Sequence, residues 1–211
     1  MRWYEKLLRS KAFILTMIVL PGLWPAWPIL RQDPTVAADP LKYLLHHFGF
    51  VACLLLATVL ALTPLRVLFP HAAIALALNR HRRLIGVGAF FYAAIHLTCQ
   101  FLHEAGWPTF WQDLRKPFLL AGMATFLILA LLAVTSPTAV VRWLGGRRWK
   151  NLHRLAYLAA LLAAYHQAAA RKLFPVQVLW IFVPLALLEL ARVVRQRLTR
   201  RQQVLARPAP G

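Results

Sequence analysis

The chain has 211 residues, 60% of them hydrophobic, and a mean hydropathy of +0.58, a composition that excludes an ordinary soluble domain and points to an integral membrane protein. Its net charge of +19 comes from 25 Lys and Arg residues placed between apolar runs, not in an aromatic-interleaved stripe, so the charge reads as membrane topology and argues against a nucleic-acid partner. Cys53 and Cys99 stand singly in apolar segments, outside any C-x-x-C or C-x-x-C-H pattern, which gives no indication of a disulfide framework, a zinc site or covalently attached c-type haem.

Apolar runs fall at 12–30, 43–62, 84–103, 117–134, 152–170 and 173–191, each near the ~20 residues that cross a bilayer. The expected fold class is an all-α integral membrane protein, a six-transmembrane-helix bundle in one domain over residues 1–211, with a basic cytoplasmic tail at 192–211. The basic start continues into the first apolar run without a small-residue cleavage site, so that run reads as an uncleaved helix in the lipid. Pro21, Pro25 and Pro28 predict a kink or early end on its outer side. The run 67–79, which contains Pro70 and His71, is too short to span and is expected to be interfacial or a loop. With the N-terminus inside, 19 Lys and Arg residues face the cytoplasm and 6 face outward; the positive-inside rule then puts both termini in the cytoplasm.

Polar residues within these runs carry the functional signal. His96, His153 and His166 lie in apolar stretches, where an ionisable group needs a partner to offset its desolvation. No acidic residue lies beside them to form a proton relay, so metal ligation, with haem iron the candidate metal, is one reading. Hydrogen bonding between helices is the other. His96 precedes Glu104 by 8 residues and His166 precedes Arg171 by 5, which places both roughly 8 to 12 Å below the outer boundary at ~1.5 Å per residue. Two imidazoles at one depth on facing helices suit a six-coordinate, electron-transferring haem. His46 and His47 fall at a similar outer level, whereas His153 lies near the inner surface, about 20 Å of helix rise from His166; His153 and His166 therefore belong to different sites. His71, His81 and His103 are expected at the solvated surface. Trp24, Trp27, Trp107, Trp111, Trp143 and Trp149 fall at predicted boundaries as interfacial anchors. Gly86 and Gly88 form no phosphate loop and read as sites of close helix approach or room for a macrocycle.

Ala38-Asp39-Pro40 with Lys42, His46-x-x-Gly49, Leu62-Thr63-Pro64-Leu65, Arg82-Arg83-Leu84-Ile85-Gly86, His96-Leu97-Thr98 and Trp149-x-x-Leu152-His153-Arg154-Leu155-x-Tyr157 with His166 resemble the MsrQ family. These are the haem-binding membrane subunits of the bacterial periplasmic methionine sulfoxide reductase system, within the ferric-reductase-like transmembrane group. The resemblance runs from about Ala38 to His166. It implies b-type haem, FMN, an inner-membrane location, and electron delivery from the quinone pool or a cytoplasmic flavin reductase to MsrP, a soluble molybdopterin enzyme that repairs oxidised methionines in envelope proteins. Carried over by position, the cofactor-binding histidines are His96, His153 and His166, with His46 at another recurrent position; haem iron falls to His96 and His166, with His153 a further candidate. The broader oxidase pattern has a second histidine about fourteen residues before His96, where this chain has Arg82. One outer haem is thus more strongly indicated than two, and the inner site is open to a flavin or quinone.

No catalytic triad, nucleotide loop or hydrolase motif appears, so the expected role is an electron-transfer subunit of an oxidoreductase system. The alternatives are a transmembrane metalloreductase or oxidase-like module, a cytochrome b anchor of another respiratory enzyme, and a haem-free transporter or assembly factor.

Overall fold

The computed structural model describes residues 3–103, 107–170 and 175–205, and its described residues form thirteen helices and no strand. The N-terminal part comprises α1 (Trp3–Arg9), α2 (Lys11–Leu23), α3 (Ala26–Leu30) and α4 (Pro34–Ala37). The long α5 (Pro40–Leu68) is followed by the short α6 (Ala73–Arg80), then by α7 (Arg82–His103) and α8 (Trp107–Asp113). The remaining elements are α9 (Pro117–Val134), α10 (Thr138–Leu144), α11 (Gly146–Leu152), α12 (Leu155–Ala169) and α13 (Val176–Leu205).

Local chemistry sets several boundaries. Asp39 caps α5 by accepting a 3.0 Å hydrogen bond from the Lys42 backbone N–H, and Pro40 occupies the first turn, where its missing N–H costs nothing. Ser10 caps α2, and Asp33 caps α4 in the same way. Gly145, at φ 76°, turns the chain between α10 and α11, a conformation in which a Cβ would be strained.

Five helical stretches have the length and hydropathy to cross a bilayer: Lys11–Leu30, Pro40–Leu68, Arg82–His103, Pro117–Val134 and Val176–Gln203. The chain is an all-helical, multi-pass membrane protein. The expected fifth run is altered: residues 152–170 do not form one helix, because the chain turns at His153 and Arg154 and α12 begins at Leu155. Its 15 residues rise only about 22 Å, short of the roughly 30 Å hydrocarbon layer. The first run breaks at Trp24 and Pro25, between α2 and α3, where the prolines place the interruption. By contrast Pro64 does not end α5, which runs six residues beyond 62; a proline in a packed membrane helix removes one hydrogen bond, and neighbouring elements absorb the loss. Helix α13 runs from Val176 to Leu205, so the basic segment 192–205 is helical; residues 206–211 lie outside the described ones.

Helices α5, α7, α9 and α12 enclose a core of Leu56, Leu60, Ala89, Leu129, Ala159, Ala160 and Ala163, while α2 packs onto α5 and α7 through Ile14, Ile18, Val51, Ala52 and Tyr92. Small residues on α12 let backbones approach closely, as apolar lipid supplies little hydrophobic drive for association. The opposite faces carry exposed Leu127, Val134, Leu161 and Trp180, as lipid-facing surfaces do. Trp24, Trp27, Trp111 and Trp143 are exposed, the last at 83%, but Trp149 is 5% exposed and belongs to the interior. The side chain of Trp107 lies outside the described ones.

Candidate cofactor site

His96, on α7, and His166, on α12, come together with ring centroids 6.0 Å apart and planes at 81°. The two rings are held by the same device. His96 Nδ1 lies 2.8 Å from the Leu45 carbonyl on α5, and His166 Nδ1 lies 2.8 Å from the Phe118 carbonyl on α9. A carbonyl only accepts, so each Nδ1 carries the proton and each Nε2 keeps its lone pair. Four residues beyond each accepting carbonyl stands a glycine: Gly49 after Leu45, Gly122 after Phe118. A Cβ at Gly49 would meet His96 Nδ1 at 2.8 Å, and one at Gly122 would meet His166 Nδ1 and Cε1 at 2.8 Å. Each glycine thus opens a gap beside a helical carbonyl, through which an imidazole from the next helix reaches it. Tyr92 uses a third such gap, donating at 2.7 Å to the Ile18 carbonyl four residues before Gly22.

The pair borders a cavity of about 320 Å³, lined also by His46, Phe126, Met123 and Thr125. Its predominantly apolar lining suits a hydrophobic cofactor. Imidazole–metal bonds of about 2 Å on both sides of one ion would place two ring centroids roughly 6 Å apart, which matches the observed spacing. Among the described residues no cluster of three or more His, Cys, Asp or Glu side chains could hold a bare metal ion. The facing imidazole pair fits a metal whose remaining ligands come from a macrocycle.

His46 lines this cavity, and at its neighbour His47 Nε2 donates at 2.7 Å to the Pro21 carbonyl. That carbonyl has no intrahelical donor, because residue 25 is also proline.

His153 is placed elsewhere. It terminates α11 and packs on Trp149 with ring centroids 4.0 Å apart, while Arg82 and Arg83 lie over the same indole at 5.7 and 5.1 Å. Its Nε2 is 3.4 Å from Thr135 Oγ1, and Trp149 Nε1 donates to the Thr135 carbonyl at 3.0 Å. His153, Trp149, Arg82 and Arg83 line a second cavity of about 200 Å³, bordered also by Gly86, Lys150, Arg154 and Tyr157. Leu56 and Leu129 line both cavities and form the partition between them. Gly88, by contrast, serves close helix approach, since a Cβ there would meet Ile18 at 2.8 Å.

Of the histidines expected at the surface, His71 is exposed and His103 pairs with Asp39 at 3.4 Å. His81 departs from that expectation: it caps α6 and its Nε2 is buried. Sequence reasoning also missed Gly122 and the two accepting carbonyls. A glycine within an apolar helix was the available signal, but its partner imidazole lies 44 to 47 residues away along the chain.

Residues 48–164 match the family described as "Ferric reductase like transmembrane component", so fold and sequence together define a transmembrane module of the ferric-reductase-like class. The chain is 38% identical over 159 residues to the "Protein-methionine-sulfoxide reductase heme-binding subunit MsrQ" of Xanthomonas campestris pv. campestris (strain 8004), covering 74% of this chain and 70% of that protein. It is 35% identical to the protein of that name from Rhodospirillum rubrum, over 77% of this chain and 76% of the relative, and 31% identical to that from Brucella ovis, over 97% and 88%. The chain belongs to the MsrQ family. No solved structure matches it.

Proposed function

We propose that this protein is the membrane electron-transfer subunit of a periplasmic methionine sulfoxide reductase system, holding b-type haem between His96 and His166. The observation that carries the reading is the imidazole pair, 6.0 Å apart in an apolar cavity, with each Nδ1 tied to a backbone carbonyl. The relatives' printed names, which call those proteins haem-binding subunits, support the same assignment. When bound, haem supplies a one-electron couple with both axial positions filled by protein. The chain's own part is to orient two neutral imidazoles, raise their basicity through the carbonyl hydrogen bonds, and exclude water with the leucines and phenylalanines around them.

The reading places the protein in the bacterial inner membrane as a single domain of six crossings, with α12 the short fifth and both termini in the cytoplasm. The excess of cations around Arg80–Arg83, Arg142–Arg154 and Arg192–Arg201 supports that orientation. Electrons enter from the quinone pool or a cytoplasmic flavin reductase and leave at the outer face to MsrP. The inner cavity, with His153, Arg82 and Arg83, is the assigned entry region, and its guanidinium groups would suit the phosphate of the FMN that the family resemblance implies.

A reduced-minus-oxidised spectrum of the purified protein tests the assignment: low-spin b-type bands are expected, with reduction by quinol or flavin reductase and reoxidation by MsrP. Absence of haem bands would return the histidines to a structural role. Rapid reoxidation by ferric chelates or oxygen, and none by MsrP, would instead favour the metalloreductase or oxidase-like alternative.

A further inference from the structure

The outer cavity changes character along its length. Leu56 and Leu129 close it on the inner side, where it abuts the second cavity. At the other end its lining includes Lys42, in the first turn of α5, Lys116, at the N-cap of α9, and His103, the last residue of α7. Gln167, beside His166, lines the same space, and its Oε1 is buried with no hydrogen-bond partner, a cost that packing alone does not explain.

We propose that this end is a carboxylate-anchoring site, in which Lys42 and Lys116 hold the two propionate groups of the haem carried by His96 and His166. The proposal rests on the haem reading above and adds an orientation: the porphyrin sits with its carboxylates toward the outer face. A carboxylate facing the leucine partition would lose its hydration without gaining a partner, whereas at the mouth it meets ammonium groups in charge-assisted hydrogen bonds. Lys42 lines the mouth and engages Asp39 through its backbone N–H, with its ammonium in electrostatic range of the same carboxylate, so it would share its charge with the ligand. Lys116 now pairs with Asp113 at 2.8 Å and would share its donors between that carboxylate and the ligand.

The test compares protohaem with its dimethyl ester, titrated into apoprotein in detergent, for the native chain, the double variant Lys42→Ala/Lys116→Ala, and Lys150→Ala, which alters the other cavity. Both lysines of the double variant are solvent-exposed, so folding is expected to survive. The native chain should prefer the free acid by about tenfold or more, the scale of hydrogen bonds to charged groups. The double variant should bring that ratio near one while keeping the low-spin bis-imidazole spectrum, and Lys150→Ala should leave the ratio unchanged. An equal ratio in native and double-variant proteins would overturn the anchoring site while the haem reading stands. A native chain that gives no low-spin spectrum with either porphyrin would overturn both.

Discussion

At the end of the bundle read as outer, two imidazoles face one another, each aligned by a carbonyl beside a glycine; at the end read as inner, a single imidazole packs on Trp149 with two guanidinium groups nearby. Both ends offer a cavity and a histidine, yet among the described residues only the first brings a second imidazole from a facing helix. Where the broader oxidase pattern would place a second histidine the chain carries Arg82, a cation instead of a nitrogen ligand. The difference separates a site able to hold iron from both sides from one better matched to an anion.

The largest effect that could break this comparison comes from the histidines themselves. His96→Ala or His166→Ala should lower bound haem by roughly tenfold or more, since changes even to groups behind a ligand cost 10- to 100-fold. His153→Ala should retain most of the outer haem signal while slowing reduction by quinol or flavin reductase. Haem content and the low-spin spectrum of stably inserted protein check both. If His153→Ala emptied the protein as fully as the other two, the two ends would not be separate sites.

The glycines sharpen the comparison at the next scale. Gly49→Ala and Gly122→Ala each place a methyl group 2.8 Å from a ring atom of the facing histidine, an overpacking that costs about 1–3 kcal/mol. The ring must then leave its carbonyl, so haem affinity should fall by about 10- to 100-fold, the range for lost support behind a metal ligand. Gly146→Ala is the control, because nothing lies within 4 Å of a Cβ there. Haem titration together with the thermal midpoint separates the two causes: a lowered midpoint with unchanged affinity would mean the gaps serve packing alone.

These contacts also show what the sequence could reveal. Long apolar helices were legible because hydropathy depends on composition: the run 117–134 coincides with α9, and matched depth alone picked out His96 and His166. The inward face of such a helix was not legible. α9 is apolar all round, and its buried positions Ala121, Thr125, Leu129 and Leu132 differ from exposed Leu120, Leu127 and Leu131 in packing, with no hydropathy contrast to mark them. For the same reason the chain turn at His153 was read as helix interior. Trp149 was assigned to the interface because an indole near a span's end is ambiguous until the arginines that cover it are placed. The cavity's glycine gaps depend on pairings between distant segments, which no local pattern carries.

The smallest expected effect concerns how the outer ends of α5 and α7 are held. Asp39 accepts from the Lys42 N–H at 3.0 Å and pairs with His103 at 3.4 Å. The Lys42 hydrogen bond chiefly, opposed by desolvation and helped to a smaller extent by His103, holds its carboxyl below the ordinary value of 3.8. A carboxyl depressed on folding contributes stability above its unfolded pKa and loses it as pH falls through the folded one. Asp39→Ala should therefore lower the thermal midpoint at neutral pH, by less than either glycine substitution because the carboxylate is half-exposed and screened by solvent. The gap from the native chain should narrow as the pH is taken below 3.8, where protonation removes the charge from the native cap. Asp39→Asn keeps a capping oxygen without the charge and should lie between the two at neutral pH. A gap that stayed constant from neutral to acid pH would show that Asp39 acts at this end through its shape, and that its charge does not help to tie α5 to α7.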